Sequence, residues 1–372
     1  MSSKKILVLH DAFLYRGGGE RLVTLMAKEL NADLASGFFS EGSFNPRELG
    51  FEGKLISLGK PVFMKGLRHM ILKYRFSYKA KFLENYDIII LSGNCLDVIK
   101  NIPKDTKILY YCHTPPRYIY DFRNRYISRF PKLFHPILDF LLDRQAKIYE
   151  NNLQKVDIIF SNAKNIKNRL IYYCKTESTI LYPPTDTERF ALKGEHFISL
   201  QNLPREYYLS FSRLASPKRV DLVAKAFLQM PDKNLVFTYG VNDPMKDEIL
   251  TMVKGKKNIF PIPAPSDQDF IRLIQGALAT IYIPVDEDFG MSPVESMACG
   301  VPVIGVNEGG LKETILDKKT GILLPKDIQI SDIQNAVKLF TKEKCKQMSK
   351  NCREQAMQFS LENFVENLKK YL

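Results

Sequence analysis

The segment 283–315 reads IPVDEDFGMSPVESMACGVPVIGVNEGGLKETI, and its pattern decides the fold class. It follows an apolar run, Ala279–Ile283, that is typical of a buried β-strand. A helix pattern, Pro293–Cys299, and a second strand pattern, Pro302–Val306, come next. In a parallel sheet, a strand, a loop and a helix N-terminus in this order direct free backbone N–H groups at an anion. The segment therefore predicts an α/β domain with a ligand site at the carboxyl edge of its sheet.

Two glutamates of this segment, Glu287 and Glu295, lie on the loop and near the start of the predicted helix. A carboxylate repels phosphate, but it accepts hydrogen bonds from the O–H groups of a sugar or a ribose. The alternative is an ordinary strand, loop and helix with two surface glutamates. The spacing by itself leaves both interpretations open.

Short apolar runs alternate with helix patterns along both halves of the chain. This alternation predicts mostly parallel, doubly wound sheets. The strand patterns in the first half are Lys5–His10, Asp87–Ser92, Lys107–Cys112 and Asp157–Asn162. Those of the second half are Tyr207–Ser212, Asn234–Tyr239, Asn258–Ile262, Ala279–Ile283, Pro302–Val306 and Gly321–Leu324. The stiff pair Pro183-Pro184 separates the two series, and 372 residues are enough for two domains.

The composition describes a globular chain, with 45% hydrophobic and 26% charged residues. It has no apolar run long enough to span a bilayer and no signal-peptide core, so we expect a cytoplasmic protein. The six cysteines are scattered without a C-x-x-C pair or histidine partners, which favours buried free thiols over disulfides or a zinc site.

The positive charge is concentrated in the first half. Residues 1–200 hold 31 Lys and Arg against 20 Asp and Glu, whereas residues 201–372 hold 23 against 21. Between Glu52 and Glu84 there are eight basic residues, no acidic ones and several interleaved aromatic and apolar residues. The candidates for membrane or acceptor contact in this stretch are Lys65, Arg68, Lys73 and Arg75. Such a segment suits an anionic membrane surface, and the alternative is an ordinary solvated helix packed on its own sheet.

Cations and glycines follow predicted strands at three further places. Arg213 and Lys218 come after the first strand of the second half, where they suit a diphosphate or belong to a surface loop. The glycine triplet at 17–19 follows the first strand and precedes a helix pattern, so the backbone can approach a ligand there. His113 lies at the end of a strand, where ligands collect, although a lone histidine is more often structural. Arg117 is either an anion ligand or a surface cation.

Taken together, these motifs resemble those of the family 4 retaining glycosyltransferases, which have the GT-B fold. The resemblance covers nearly the whole chain and is nearest to bacterial mannosyltransferases that build surface polysaccharides. The motifs are the glycine loop at 16–20, HTPPR at 113–117, SN at 161–162, YPP at 182–184, R-x4-K at 213–218, E-x7-E at 287–295 and GG-x-x-E at 309–313.

The resemblance implies a role for each candidate residue. His113 and Glu287 are expected at the reacting centre, Glu287 beside the hydroxyls of the donor sugar and Glu295 at the ribose. The expected contacts to the donor diphosphate are Gly17, Gly18, Arg213, Lys218 and the backbone around Phe289, Gly290 and Met291. No dedicated metal-binding motif is recognised at a strand end, so we expect no metal and no other cofactor.

The fold class that the resemblance implies is α/β, with two Rossmann-like, doubly wound parallel-sheet domains that face a central cleft. We expect an acceptor-binding domain over residues 1–185, a domain that binds the nucleotide sugar over 186–355, and a terminal helix over 356–372 that crosses back to the first domain.

The expected reaction is the transfer of a hexose, with retention, to a membrane-anchored glycan or a lipid-linked acceptor in surface polysaccharide synthesis. Resemblance to mannosyltransferases favours GDP-mannose as donor, but the sequence around Tyr239 holds no clear code for the base. A UDP-sugar-dependent transferase, a relative with another reaction and a non-catalytic basic membrane-binding module stay open as alternatives. We expect a protein peripherally associated with the cytoplasmic face of a membrane, and no motif indicates nucleic-acid binding.

Overall fold

The computed structural model of the chain describes residues 4–14, 16–191 and 203–372. The chain divides into two compact units. Met1–Tyr182 together with Val365–Leu372 forms the first unit, and Pro183–Phe364 forms the second. Each unit contains one parallel sheet with helices, so the prediction of two doubly wound α/β domains is confirmed.

The first unit contains a parallel sheet of seven strands in the order β3-β2-β1-β4-β5-β6-β7. Its strands are β1 Ile6–His10, β2 Asp33–Ser36, β3 Leu55–Ser57, β4 Ile88–Ser92, β5 Lys107–Cys112, β6 Ile158–Ser161 and β7 Thr179–Ile180. Its helices are α1 Gly18–Glu29, α2 Lys65–Tyr78, α3 Arg123–Ile127, α4 His135–Leu153 and α5 Lys164–Cys174. All five residues of β4 are buried, as an apolar strand covered on both faces requires.

The second unit contains a parallel sheet of six strands in the order β10-β9-β8-β11-β12-β13. Its strands are β8 Tyr208–Ser210, β9 Leu235–Tyr239, β10 Ile259–Pro263, β11 Ala279–Ile281, β12 Val303–Val306 and β13 Gly321–Leu324. The helices are α6 Thr187–Ala191, α7 Val220–Leu228, α8 Lys246–Val253, α9 Asp267–Gly276, α10 Met291–Ala298, α11 Leu311–Thr314, α12 Ile330–Leu339 and α13 Lys342–Met357. The last helix, α14 Leu361–Lys369, begins in the second unit and ends in the first.

Both sheets have a point at which the strand order reverses. In the first sheet the chain moves outward from β1 in one direction through β2 and β3, and then returns to begin again at β4 on the other side. The second sheet repeats this at β8 and β11. Loops that leave the carboxyl ends of two such strands diverge and open a crevice, and this is where open α/β sheets bind ligands.

Several boundaries differ from the sequence-based expectations. The compact units divide after Tyr182 and Phe364, whereas the predicted domain limits were residues 185 and 355, which stay predictions. Residues Val365–Leu372 belong to the first unit, where the ring of Tyr371 packs edge-on against Phe160 at 5.2 Å between centroids. Three strands of the first sheet, β2, β3 and β7, were not predicted, because each has at most four residues and no sustained apolar run.

The expectations on membrane-spanning segments and on cysteines can be compared with the described residues. Within ranges 4–14, 16–191 and 203–372, no helix is long and apolar enough to cross a membrane. All six cysteines are free thiols and all are buried, as expected.

Candidate functional site

A lysine, a tyrosine and a glutamate form a compact cluster at the carboxyl edge of the second sheet, where β8 and β11 part. The Nζ atom of Lys218 lies 2.6 Å from Oε2 of Glu287 and 2.8 Å from the hydroxyl of Tyr282. The same ammonium lies 5.1 Å from the centre of the Tyr282 ring. Two predicted donor ligands from distant parts of the chain therefore meet, and they neutralise one another in this structure.

The loop after β8 holds its two cations in different environments. The carboxylate of Asp243 accepts hydrogen bonds from the backbone N–H groups of Leu214 and Gly240, each at 2.9 Å, and so anchors the loop. Lys218 ends a short 3-10 turn, Ser216–Lys218, and its side chain is mostly buried. Arg213 is exposed, and among the described residues its guanidinium has no hydrogen bond or ion pair. Arg213 is therefore available to an anion, whereas Lys218 must exchange partners to bind one.

The glycine pair Gly309-Gly310 allows the loop that carries Glu287 to pack closely. The N–H of Gly310 donates to the carbonyl of Glu287 at 2.8 Å. A Cβ atom on Gly309 would overlap that carbonyl, and one on Gly310 would overlap the backbone of Asp288 and Phe289. Gly309 also has φ of 58°, a left-handed conformation that favours glycine. The glycines of the GG-x-x-E motif thus position the loop of the E-x7-E motif.

Helix α10 begins at Met291, directly after this loop. Gly290 precedes it with φ of 90°, and a Cβ atom there would lie 2.9 Å from Leu311. The side chain of Phe289 is buried and packs against Phe359, with 5.3 Å between ring centres. The backbone N–H groups of the first turn of α10 have no partner within the helix itself, as at any helix N-terminus. Phe289 therefore holds the start of α10 beside the Lys218 cluster.

Glu295, in the second turn of α10, acts on the same cluster. Burial raises the pKa of Tyr282 well above its ordinary value, and the negative charges of Glu287 and Glu295 raise it further. Both glutamates of the E-x7-E motif therefore lie within electrostatic reach of one phenol. Tyr282 stays a neutral hydrogen-bonding group, able to accept from Lys218.

A second buried carboxylate, Glu308, follows β12 in the same unit. Its Oε1 atom lies 3.2 Å from Nζ of Lys326, and its Oε2 atom lies 3.9 Å from Arg219. Oε2 is buried without a hydrogen-bond partner among the described residues. No sequence pattern indicated this group, since a single glutamate before a glycine pair does not distinguish a buried carboxylate from a surface one.

The corresponding edge of the first sheet carries two histidines joined through a serine. His10 and Ser92 are register partners at the ends of β1 and β4. The hydroxyl of Ser92 lies 3.2 Å from Nδ1 of His10 and 2.8 Å from Nε2 of His113, which follows β5. His10 Nε2 lies 3.3 Å from Oδ1 of Asp11. Four polar side chains therefore form a continuous row across the point where the strand order reverses.

His113 is uncharged in this environment. Its pKa is lowered to about 4, chiefly because burial penalises the imidazolium, and His10 adds to the effect while Asp11 opposes it. At neutral pH the ring therefore has one N–H group and one free lone pair. A group of this kind exchanges hydrogen bonds with hydroxyls and does not act as a counter-ion for phosphate.

The glycine loop lies beside these histidines. A Cβ atom on Gly19 would lie 3.8 Å from Cε1 of His113 and 4.0 Å from Cε1 of His10. Gly17 precedes α1, and a Cβ atom there would lie 2.7 Å from the carboxylate of Glu20, which is buried and folds back towards it. Gly18 is the first residue of α1. The predicted glycine loop and His113 are therefore neighbours within the first unit.

A cavity of about 710 Å³ opens next to this row in the first unit. His10 and Asp11 form part of its wall, and Arg68 and Lys73 of α2 and Arg129 supply cations to it. Lys73 is also paired with Asp97 at 3.8 Å. A cavity of this size is large enough for one or more sugar residues, and its cations suit an anionic group.

The remaining basic candidates have other roles. Arg75 is a correction to the prediction of membrane or acceptor contact: it is buried and donates at 2.8 Å to the carbonyls of Gly37 and Lys60, so it ties α2 to neighbouring loops. Arg117 is paired with Asp121 at 2.7 Å and stacks on the ring of Phe122. Lys65 begins α2, and its side chain lies outside the described part of the structure.

The described residues contain no group of three or more His, Cys, Asp or Glu side chains arranged to hold a metal ion. Independence from metal stays a prediction.

The sequence reasoning missed four residues of the two sites: His10, Asp11, Ser92 and Tyr282. Each lies at or next to the carboxyl end of a predicted strand, and that position is the one signal that could have found them. Their chemistry depends on which strands are neighbours and in which register, and a single strand pattern does not contain that information.

Comparison with known proteins agrees with the motif resemblance. A family model described as glycosyl transferases group 1 matches residues 193–359. The chain is 28% identical over 346 residues to the α-1,3/1,6-mannosyltransferase ALG2 of Rhizomucor pusillus, covering 80% of this chain and 71% of that protein. ALG2 of Mus musculus is 24% identical over 320 residues, covering 77% and 71%. The crystal structure of HepE from Anabaena in complex with UDP and glucose aligns with a TM-score of 0.72 at 16% identity, over 99% of both chains.

Proposed function

This chain is a glycosyltransferase of the group 1, family 4 type with the GT-B fold, related to mannosyltransferases, and we propose that it transfers mannose from GDP-mannose to a lipid-linked glycan with retention of configuration. The observation that carries the proposal is the cluster of Lys218, Tyr282 and Glu287 at the carboxyl edge of the second sheet. The choice of mannose rests on the similarity to two mannosyltransferases. Each alignment covers more than two thirds of this chain and of the relative.

The donor diphosphate is proposed to bind between Arg213, Lys218 and the first turn of α10. The diphosphate gains negative charge as the bond to the sugar breaks, and cations and N–H groups placed there stabilise that charge. Arg213 is exposed and has no partner among the described residues, so no protein contact has to be broken for it to bind. The hydroxyls of the hexose then donate hydrogen bonds to Glu287, and those of the ribose donate to Glu295.

Donor binding on this scheme is an exchange of partners. Lys218 leaves the carboxylate of Glu287 for a phosphate oxygen, and Glu287 accepts hydrogen bonds from sugar hydroxyls in place of the ammonium. A donor that lacks either the diphosphate or the hydroxyls leaves one member of the pair without a partner, which costs free energy. The pair therefore selects for a molecule that contains both groups.

The chemical step is proposed to be a same-face displacement. The acceptor oxygen forms a bond to the anomeric carbon as the bond from that carbon to the phosphate oxygen breaks, and the acceptor proton passes to the departing diphosphate. No protein carboxylate is assigned as a nucleophile. His113, neutral at pH 7, contributes a hydrogen bond at the reacting centre. No metal is assigned to the reaction.

The acceptor is proposed to bind in the cavity of the first unit. Met70 in the cavity wall is exposed by 70%, and the same unit also exposes Tyr74 of α2 by 58% and Leu133 and Phe140 by 83% and 66%. Exposed apolar side chains and the cations Arg68 and Arg129 of the cavity wall suit an anionic lipid surface, at about 1 kcal/mol per cation near the bilayer. We therefore propose that this face rests on a membrane and that the acceptor is anchored there.

One experiment tests donor and reaction together. The purified chain is incubated without added metal and with EDTA, using GDP-mannose, UDP-glucose or UDP-galactose and a panel of short-chain lipid-linked glycans as acceptors. We expect mannosyl transfer from GDP-mannose with an α-linked product. Transfer from a UDP-sugar alone would keep the fold and mechanism and overturn the donor. Binding to anionic vesicles without nucleotide binding or transfer would favour a non-catalytic module.

A further inference from the structure

The hydrogen-bonded row in the first unit contains an internal constraint on its protons. Ser92 has one hydroxyl hydrogen, so it donates to one imidazole and accepts from the other. Within the described residues its hydroxyl has no other partner. The choice of direction at Ser92 therefore decides the tautomer of both His10 and His113.

Asp11 settles that choice. Its carboxylate accepts from the backbone N–H of Ala12 at 2.7 Å and from that of Asn94 at 3.1 Å, which holds it in place beside His10. Nε2 of His10 lies 3.3 Å from Oδ1, and this contact favours a proton on Nε2, because a carboxylate attracts an N–H hydrogen and repels a lone pair. The opposite tautomer of neutral His10 would direct a lone pair at a negative charge.

The remaining protons follow in order. With its proton on Nε2, neutral His10 has a free lone pair on Nδ1 and accepts from Ser92 at 3.2 Å. The oxygen of Ser92 then accepts from Nε2 of His113 at 2.8 Å. His113 has its proton on Nε2, and its Nδ1 lone pair has no partner among the described residues.

We propose that Asp11, His10 and Ser92 form a positioning relay that fixes His113 as the tautomer protonated on Nε2, so that its Nδ1 lone pair is presented to an O–H group of the substrate. The three residues are positioning residues, since they act through His113. The relay is a property of the first unit alone, and only the statement that Nδ1 meets a substrate hydroxyl rests on the proposed function. A carboxylate that orients a histidine in this way is a recurring device in catalysis.

The burial of these side chains agrees with a row whose hydrogen bonds are made within the protein. Ser92 is fully buried and His10 is 6% exposed. The rings of His10 and His113 lie edge to face with 6.1 Å between their centres, and Tyr111 packs edge-on against His113 at 5.2 Å. Solvent therefore has little access to the Ser92 hydroxyl, and the direction of each hydrogen bond is set by protein groups.

The direct test is a nitrogen NMR spectrum of the full chain labelled with ¹⁵N-histidine, recorded at about pH 8, where an imidazole of ordinary pKa is neutral. The chain has five histidines, and a His113→Gln variant assigns the resonances of His113. We expect a protonated Nε2 and an unprotonated Nδ1. A proton on Nδ1 of His113 would overturn the relay, and this readout does not depend on catalytic activity.

The Ser92→Ala variant measures what the relay does. It removes the acceptor of Nε2–H, so we expect His113 to become a mixture of tautomers and kcat to fall about tenfold or more, with KM for the donor nearly unchanged. An unchanged tautomer in this variant would contradict the proposal. If the tautomer shifts as expected but no sugar nucleotide supports transfer, the relay stands and the proposed function fails.

Ser36→Ala is the matched control. Ser36 is also fully buried and is the register partner of His10 on its other side, at the end of β2. Its hydroxyl donates to the carbonyl of Phe38 at 3.0 Å and not to a histidine. We expect it to lose a similar amount of stability while the tautomer of His113 and kcat stay as in the wild type.

Discussion

The two units place their polar groups at the same topological position but give them different charge. Where the first sheet reverses its strand order, His10, Ser92 and His113 form a row with a single charged end. Where the second sheet reverses, Lys218 and Glu287 form an ion pair at 2.6 Å. The specificity of the site in the first unit therefore depends on which atoms carry protons, and that of the site in the second unit depends on where the charges lie.

This difference matches the tasks that we propose for the two sites. A diphosphate requires cations. The ion pair with Glu287 fixes the position of Lys218 before the diphosphate binds. A site for hydroxyls requires groups that both donate and accept hydrogen bonds, and an imidazolium can only donate. The burial that keeps His113 neutral therefore preserves a hydrogen-bond acceptor on its ring.

The largest effect is expected from removing the cation of the second site. Lys218→Ala should lower kcat/KM for the donor on the order of 10²–10³-fold, because charge on the departing diphosphate loses a preorganised partner. Steady-state kinetics with the donor varied would measure it. Lys225→Ala is the control, since Lys225 forms a 3.0 Å pair with Asp221 on α7 and an exposed pair of this kind contributes little. Equal losses in both variants would mean that the charge of Lys218 has no special role. The distinction between a neutral site and a charged site would then fail.

A substitution in the backbone of the second site should have the next largest effect. In Gly309→Ala the added Cβ would overlap the carbonyl of Glu287, and the residue would be strained at φ of 58°. We expect a loss of about 2–4 kcal/mol in the free energy of unfolding, measured with urea, together with weaker nucleotide binding.

The control for Gly309 separates strain from overlap. Gly255 has a similar φ of 74°, but a Cβ atom there meets open space. Gly255→Ala should therefore cost only the conformational strain, about 1 kcal/mol, and leave nucleotide binding unchanged. If both variants lose the same stability, the close packing between Gly309 and Glu287 is not what holds the loop.

The smallest effect concerns the neutral site and pH. The pKa of His113 is about 4 in the folded state and about 6.5 when the chain unfolds. Between these values the unfolded state binds the extra proton, so the stability of the folded state falls as the pH is lowered from about 6.5 to about 4. Urea unfolding at several pH values should show a shallower slope for His113→Gln. His69, whose pKa burial also lowers, should retain its part of the slope.

His135→Gln is the comparison for this pH series. His135 bonds the carbonyl of Phe130 near the surface, at 2.9 Å, and does not touch the row. Because the row is intact in this variant, the part of the slope that comes from His113 should remain. A slope unaffected by His113→Gln would mean that His113 is not held neutral by the fold.

How far the sequence predicted the molecule depends on the kind of pattern involved. Strands such as β5, Lys107–Cys112, were predicted to the residue because a continuous apolar run has only one stable place, inside a parallel sheet. The meeting of Lys218 with Glu287 of the E-x7-E motif at one sheet edge also followed from pattern, since parallel strands end at the same side. Strand β2, Asp33–Ser36, has no such run and was missed.

Two features required three-dimensional information. The basic stretch in α2 reads as a uniform cationic surface, but Arg75 lies on the inward face with Leu72 and Phe76 and donates to loop carbonyls that the sequence does not mark as unpaired. The histidine row depends on the register of β1 against β4, which brings Ser92 beside His10. The sequence separation of His10 and Ser92 does not show that the two residues are neighbours in space.

The six buried thiols have a practical consequence. Burial raises the pKa of Cys174 to about 11 and those of Cys299, Cys345 and Cys352 to about 12, and it is the thiolate that reacts with maleimides and thiol-specific nitroxide reagents. The native chain should therefore remain unlabelled under conditions that modify a surface cysteine. Single cysteines introduced at exposed positions such as Lys104 and Lys346 become orthogonal handles for a dye pair or two spin labels. The distance between the two units, with and without nucleotide, can then be followed without first constructing a cysteine-free protein.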